Sequence, residues 1–188
     1  MNSILRLSAL ALGILLAAAS TSPASTIWNG PLITFAKTDF ADPFSAANQD
    51  RITSDLWLTR GGDHGLFNAD TEGGFTHFSS PAGTLWADGT LANYATLSYH
   101  DWNTWAKNVH GGPPGTLNVN AVVHIIPDDI YFSIKFTAWS SSGSGGGFSY
   151  LRSTPTVAPE PTAGLLLLAG LALPTGKRLR RTRRNLYN

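Results

Sequence analysis

Three features of this chain predict an all-β fold, an antiparallel β-sandwich of the jelly-roll kind, flanked by an apolar helix at either end. β-Branched and aromatic residues alternate with polar ones in short runs, glycine-rich turns separate the runs, and no long amphipathic helix interrupts them. The clearest segment is AVVHIIPDDIYFSIKFTAW, residues 121–139. Pro127, Asp128 and Asp129 supply the turn of a hairpin between two strand-like runs. In the second run Ile130, Phe132, Ile134 and Phe136 share one face. Tyr131, Ser133, Lys135 and Thr137 share the other, as expected of a sheet with one buried side.

Shorter strands are expected over residues 32–36, 55–60, 74–79, 94–100 and 147–152. Turns such as RGGDHG, HGGPPG and SSGSGGG separate several of them, and the last reads as a flexible loop or a wide hairpin end. Residues 26–153 then form one domain, and residues 154–158 form a linker. With no cysteine, the core depends on packing alone. Material for it is present, because nineteen of the twenty aromatic residues fall between Trp28 and Tyr150. Trp28, Trp57 and Trp139 are expected in that core.

The formal charge of +1 conceals a division. Between residues 26 and 157 there are six basic and eleven acidic side chains, a net charge of −5. A moderately acidic domain is poorly suited to phosphate backbones, which argues against nucleic acid as a partner.

The compensating positive charge sits at the ends. MNSILRLSALALGILLAAASTSPAS carries Arg6, an apolar run from Leu7 to Ala19 and then small residues, the layout of a secretory signal peptide over residues 1–24. Cleavage fits after Ala19 or Ala24, and a retained anchor is the alternative. The other end reads PEPTAGLLLLAGLALPTGKRLRRTRR, residues 159–184. Its uncharged stretch, 162–176, reaches about 22 Å as a helix against a hydrocarbon core of about 30 Å. That favours transient membrane insertion over a lasting anchor. Lys177, Arg178, Arg180, Arg181, Arg183 and Arg184 follow it, a block held on the cytoplasmic side of a membrane.

Pro159-Glu160-Pro161, a Leu/Ala/Gly helix and an arginine-rich end, in that order, resemble the PEP-CTERM sorting tag. The resemblance implies an exosortase as processing partner, after signal peptidase. It also implies delivery to the cell surface or extracellular polysaccharide matrix, with a transient or residual inner-membrane-anchored form. The prolines flanking Glu160 keep the motif extended and accessible. Pro174 and the trailing residues 185–188 depart from the pattern. The strings IWNGPLITFAKTDFADPFSAANQDRIT and DIYFSIKFTAWSSSGSGGGFSY resemble an uncharacterised module of bacterial surface proteins, which implies an exported β domain and carries no activity with it.

Within the domain, SYHDWNTWAKN offers Trp102 and Trp105 with Asp101 and Asn103, the aromatic and polar mixture that sugar sites use. Outward alternation of Ser98, His100 and Trp102 would make a platform; the competing reading places both tryptophans in the core. Extracellular polysaccharide is accordingly the candidate ligand. No catalytic residue is assigned. Glu72 is the domain's lone glutamate, so a hydrolase would need Asp70 or Asp88 as its second carboxylate, and no motif selects either. The histidines lack metal-ligand spacing and no metal or cofactor is assigned; Asp39, Asp42, Asn48 and Asp50 are the oxygen-rich cluster that calcium would use. A non-catalytic polysaccharide-associated surface protein is the expectation, with a passive structural role as the alternative. Intact-mass spectrometry of the protein from its native cells should show loss of both terminal segments. A mass that retains the arginine cluster would contradict processing.

Overall fold

Short alternating runs pair into two sheets in the computed structural model, which describes residues 24–156. The signal segment before Ala24, the sorting motif, the apolar stretch 162–176 and the basic cluster lie outside the described residues. Among the described residues no helix is long and apolar enough to cross a membrane. In chain order the strands are β1 (Thr26–Trp28), β2 (Leu32–Lys37), β3 (Asp50–Arg51), β4 (Trp57–Arg60) and β5 (Leu66–Asn68). They continue with β6 (Thr84–Asp88), β7 (Ala121–Ile125), β8 (Ile130–Trp139) and β9 (Phe148–Ser153).

The large sheet runs β2-β9-β8-β7-β6, with β1 beside the start of β8. The small sheet is β3-β4-β5. The all-β expectation holds, with two refinements. Strands β6 to β9 form a consecutive meander with β2 on its edge, not the interleaved order of a jelly roll. In addition β1 pairs with β8 in parallel, the exception in a sheet whose other ladders are antiparallel.

The 121–139 hairpin forms as its alternation requires, with Ile125 opposite Ile130 across the turn. Phe132, Ile134 and Phe136 are buried, whereas Thr137 is exposed. Alternation alone would then send Trp139 outward. A bulge between Phe136 and Ala138 resets the parity and turns Trp139 back against Phe136, with ring centroids 5.8 Å apart. One hydrophobic cluster joins Leu56, Leu58 and Leu66 of the small-sheet region to Trp86, Phe132, Phe136 and Tyr150 of the large sheet. The two sheets therefore share a core in a sandwich-like arrangement.

A polar clamp crosses this core. Arg152 of β9 donates from Nε and Nη2 to the two carboxylate oxygens of Asp50 in β3, at 2.6 and 2.8 Å. The hydroxyl of Tyr150 donates to the same carboxylate at 2.8 Å. All three side chains are buried. Burial, and then Asp50, push the Tyr150 phenol far up, so it remains a donor. Burial opposes the charge on Arg152, but the hydrogen bonds it donates to Asp50, with the charge of that carboxylate, outweigh it and its pKa rises.

Several expectations are corrected. Residues 74–79 form turns rather than a strand. Glu72 accepts the backbone amides of Asn68 and Ala82, at 2.6 and 3.0 Å, and the Ser80 hydroxyl, closing residues 68–82 on themselves. Residues 94–100 are likewise no strand. Asn93 Oδ1 accepts the Thr90 amide at 3.0 Å, which starts a helical turn over Leu91–Thr96. Tyr94 and Tyr99 then pack on Tyr131, and only His100 bridges to a strand, opposite Trp86. Trp57 is half-buried with the Arg51 guanidinium 3.9 Å over its ring, and so is not a core residue. The 140–147 segment is the wide hairpin end between β8 and β9, exposed over 141–144 and packed at its base, where a Cβ on Gly146, whose φ is +73°, would fall 1.7 Å from Gly61 O.

Removing Asp50 would strand a buried guanidinium between the sheets. Asp50→Ala should lower the unfolding free energy by about 3–5 kcal/mol, measured by urea denaturation of the full-length chain. An effect below about 1 kcal/mol would show that the clamp does not join the sheets.

Candidate functional site

Where β4 and β8 both end, the sandwich opens into a cleft of about 320 Å³. Trp102 and Trp139 contribute stacked rings with centroids 5.8 Å apart. Phe75 and His77 meet edge to face at 5.0 Å on another part of the lining. Gly65 lies between these groups: a Cβ there would come within 2.6 Å of Trp102 Nε1 and 2.7 Å of the Phe75 ring. Arg60, Asn103, Lys107, Ser141 and Ser142 add polar groups to the lining.

The helical turn carrying Trp102 and Asn103 is set locally. Asp101 accepts from the Thr104 amide at 3.0 Å and from its hydroxyl at 2.6 Å, as an N-terminal cap does. The wide turn over Thr104–Val109 follows. Trp102, Trp105 and Ala106 thereby face inward together at helical spacing, and each is only 1 % exposed. The exposed Trp102/Trp105 platform is corrected accordingly: the chain coils here instead of extending, and both indoles pack on Trp86, at 4.8 and 5.5 Å. Trp102 presents part of its surface to the cleft, and Asn103 joins it there. Trp105 does not line this cleft and donates Nε1 to Asp88 at 2.7 Å, while Asp101 is committed to capping.

Arg60 is the deepest polar group, at 1 % exposure. Its guanidinium lies 4.1 Å over Trp139, with Nε donating to His64 O at 2.9 Å and Nη1 donating to Ser140 O and Gly147 O at 3.0 and 3.2 Å. Burial pushes its pKa down to about 10, against the opposing pull of Asp39 and Asp63, and it stays charged at neutral pH. His77 Nδ1 pairs with Asn103 Oδ1 at 2.9 Å. Because that oxygen can only accept, Nδ1 carries the proton and Nε2 is left as an acceptor.

The other chemistry weighed from sequence is dispersed. No Asp or Glu lines the cleft. Glu72 is bonded to Asn68, Ser80 and Ala82, Asp88 accepts from Trp105 and faces His110, and the Asp70 amide turns on Asn68. Within the calcium cluster, Asp50 binds Arg152, Asp39 accepts from Gly147, and Asp42 accepts from the Phe44 amide. Among the described residues no group of three or more His, Cys, Asp or Glu side chains is placed to hold a metal ion. A larger hollow of about 460 Å³, beside Lys135 and Leu91, has no aromatic lining.

Sequence reasoning passed over Arg60, Phe75, His77 and Lys107. The available signal for Arg60 was a lone cation after WLT, in a run whose neighbours are built for burial, followed by Gly-Gly where the chain must turn sharply.

Asp39 steadies the hairpin end that holds Arg60. Its Oδ1 accepts the Gly147 amide at 2.7 Å, and hydrogen bonding from the Ser140 side chain, then from that amide, lowers its pKa. A depressed carboxylate stabilises fully above its unfolded value of about 3.9, and the stabilisation is lost as pH falls through the lower folded value. The Gly147 amide resonance should therefore titrate with a midpoint below about pH 3.9, and Asp39→Asn should abolish the titration. An unshifted midpoint would refute this contact.

With this geometry in view, comparison of the chain with protein-family models, curated proteins and solved structures gives no match, so its relationships rest on the residues described above.

Proposed function

We propose that the domain is the working part of an exported, exosortase-sorted surface or matrix protein, and that it binds extracellular polysaccharide without cleaving it. The carrying observation is the cleft itself, walled by Trp102, Trp139 and Phe75, polar at Arg60, His77 and Asn103, and free of lining carboxylates. Apolar ring faces with a few placed polar groups suit a saccharide. Glycoside hydrolysis would need two carboxyl groups flanking the bond.

The position of the cleft supports surface display. The Gly30 amide donates to Thr154 O at 2.9 Å, and Thr26 donates to Asp129 O at 2.9 Å, so both described ends meet near the start of β8. The cleft lies at the other end of that strand, ten residues along, which is about 30 Å. A domain held through its C-terminal segment would point the cleft away from the attachment.

Glycan-array binding of the full-length chain, with retention on polysaccharide from its native cells, tests the reading. His77→Ala and Phe75→Ala should each weaken binding about fivefold or more while the melting curve stays cooperative. Trp102→Ala is unsuitable, because emptying that core site costs about 3–5 kcal/mol. No retention of any polysaccharide, or retention indifferent to both variants, would leave only the passive structural role.

A further inference from the structure

Two arginines are buried in this domain, and their environments differ. Arg152 has Asp50 as a bidentate partner. Arg60 makes no ion pair among the described residues. Its nearest influential acids are turned elsewhere, Asp39 toward the Gly147 amide and Asp63 toward His64. A buried charge is ordinarily paired or coordinated. Backbone carbonyls and the Trp139 face supply part of that compensation for Arg60.

The remainder faces the cavity. Nε and Nη1 are engaged, whereas Nη2 donates to no acceptor among the described residues. No fully buried side-chain polar atom there lacks a partner, so the access left to Nη2 is through the cleft that Arg60 lines. Asn103, only 5 % exposed, repeats the pattern: Oδ1 is held by His77, and Nδ2 has no described acceptor. Both free groups can only donate. Lys107, exposed on the lining, adds a second cation, and no carboxylate opposes it within the cleft. With Lys107, these donors make the cleft cationic in a domain whose residues 26–157 carry a net charge of −5.

We infer that the cleft selects a carboxylate-bearing sugar unit, the carboxylate taking the free donors of Arg60 and Asn103 beside Lys107 while the ring lies along the half-buried Phe75 and Trp139. This rests on the saccharide-binding reading and names its ligand class. An anion also explains why two cations and the uncommitted Nδ2 of Asn103 converge where no carboxylate lines the cleft, since a neutral sugar hydroxyl makes no such demand. Charge-assisted hydrogen bonds in a partly desolvated cleft supply the discrimination.

The test titrates the full-length chain with hexagalacturonate, with its fully methyl-esterified form and with free galacturonate, following tryptophan fluorescence and calorimetry. The acid hexamer should bind at least about tenfold more tightly than the ester, and added salt should erode that preference. Lys107→Glu, an exposed change, should reduce the preference about fivefold or more with an unaltered melting temperature. Arg60→Gln should abolish it; if that variant fails to fold, the Lys107 variant decides. Equal binding of acid and ester would overturn this inference and leave the saccharide reading standing. Binding of neither hexamer nor monomer would overturn both. Free galacturonate binding without either hexamer would uphold the carboxylate site and overturn binding of a polymer.

Discussion

The bidentate pair between Asp50 and Arg152, joined by the Tyr150 hydroxyl, is the constraint on which the rest of the structure depends. Strands β3, β4 and β5 are two, four and three residues long, too short to persist as an isolated sheet. Apolar contact through Leu58 and Leu66 gives them affinity for the large sheet but fixes neither angle nor register. A charged fork meeting a carboxylate inside the core has one satisfactory geometry and a steep cost for any other. Docking β3 in that geometry also places β4, and so carries Arg60 to the end of the sandwich where the cleft opens.

The cleft is then assembled from departures from regularity. The bulge in β8 rotates Trp139 inward. Capping of the 102–109 turn by Asp101 coils what would otherwise extend, and sets Trp102 behind the cleft with Asn103 beside it. Gly65 removes a side chain so that Trp102 and Phe75 can come together, and Gly146 allows the β8–β9 hairpin to press on Gly61. His64 and Phe78 hold positive φ values of 62° and 63° in loops around the same region, a conformation uncommon for side-chain-bearing residues. The bulge, Gly65 and Gly146 are local departures that shape this cleft in a fold whose strands are otherwise locally consistent.

The two buried arginines are compensated in different ways. Arg152 is neutralised by protein and serves cohesion between the sheets. Arg60 is positioned by carbonyls and an aromatic face, which orient a guanidinium without cancelling its charge. The same residue type is closed in one place and open in the other, and that difference depends on whether a carboxylate from the opposite sheet reaches it.

Much of the fold was legible from one dimension. Period-two alternation over 130–136, the Pro-Asp-Asp turn and glycine-separated strands are local properties, and local sterics and burial enforce them wherever they occur. Reading failed where a side chain chose between local partners: Thr90 with Asn93 and Asp101 with Thr104 coil segments whose residues alternate like strands. The acidic balance of the domain and the aromatic wealth of its interior are likewise composition, and the sequence by itself determined them. Which aromatics face a cavity, and which arginine lacks an acid, only the tertiary structure decided. Asp50 and Arg152 stand 102 positions apart, and no local pattern tells a cation which distant carboxylate will come to meet it.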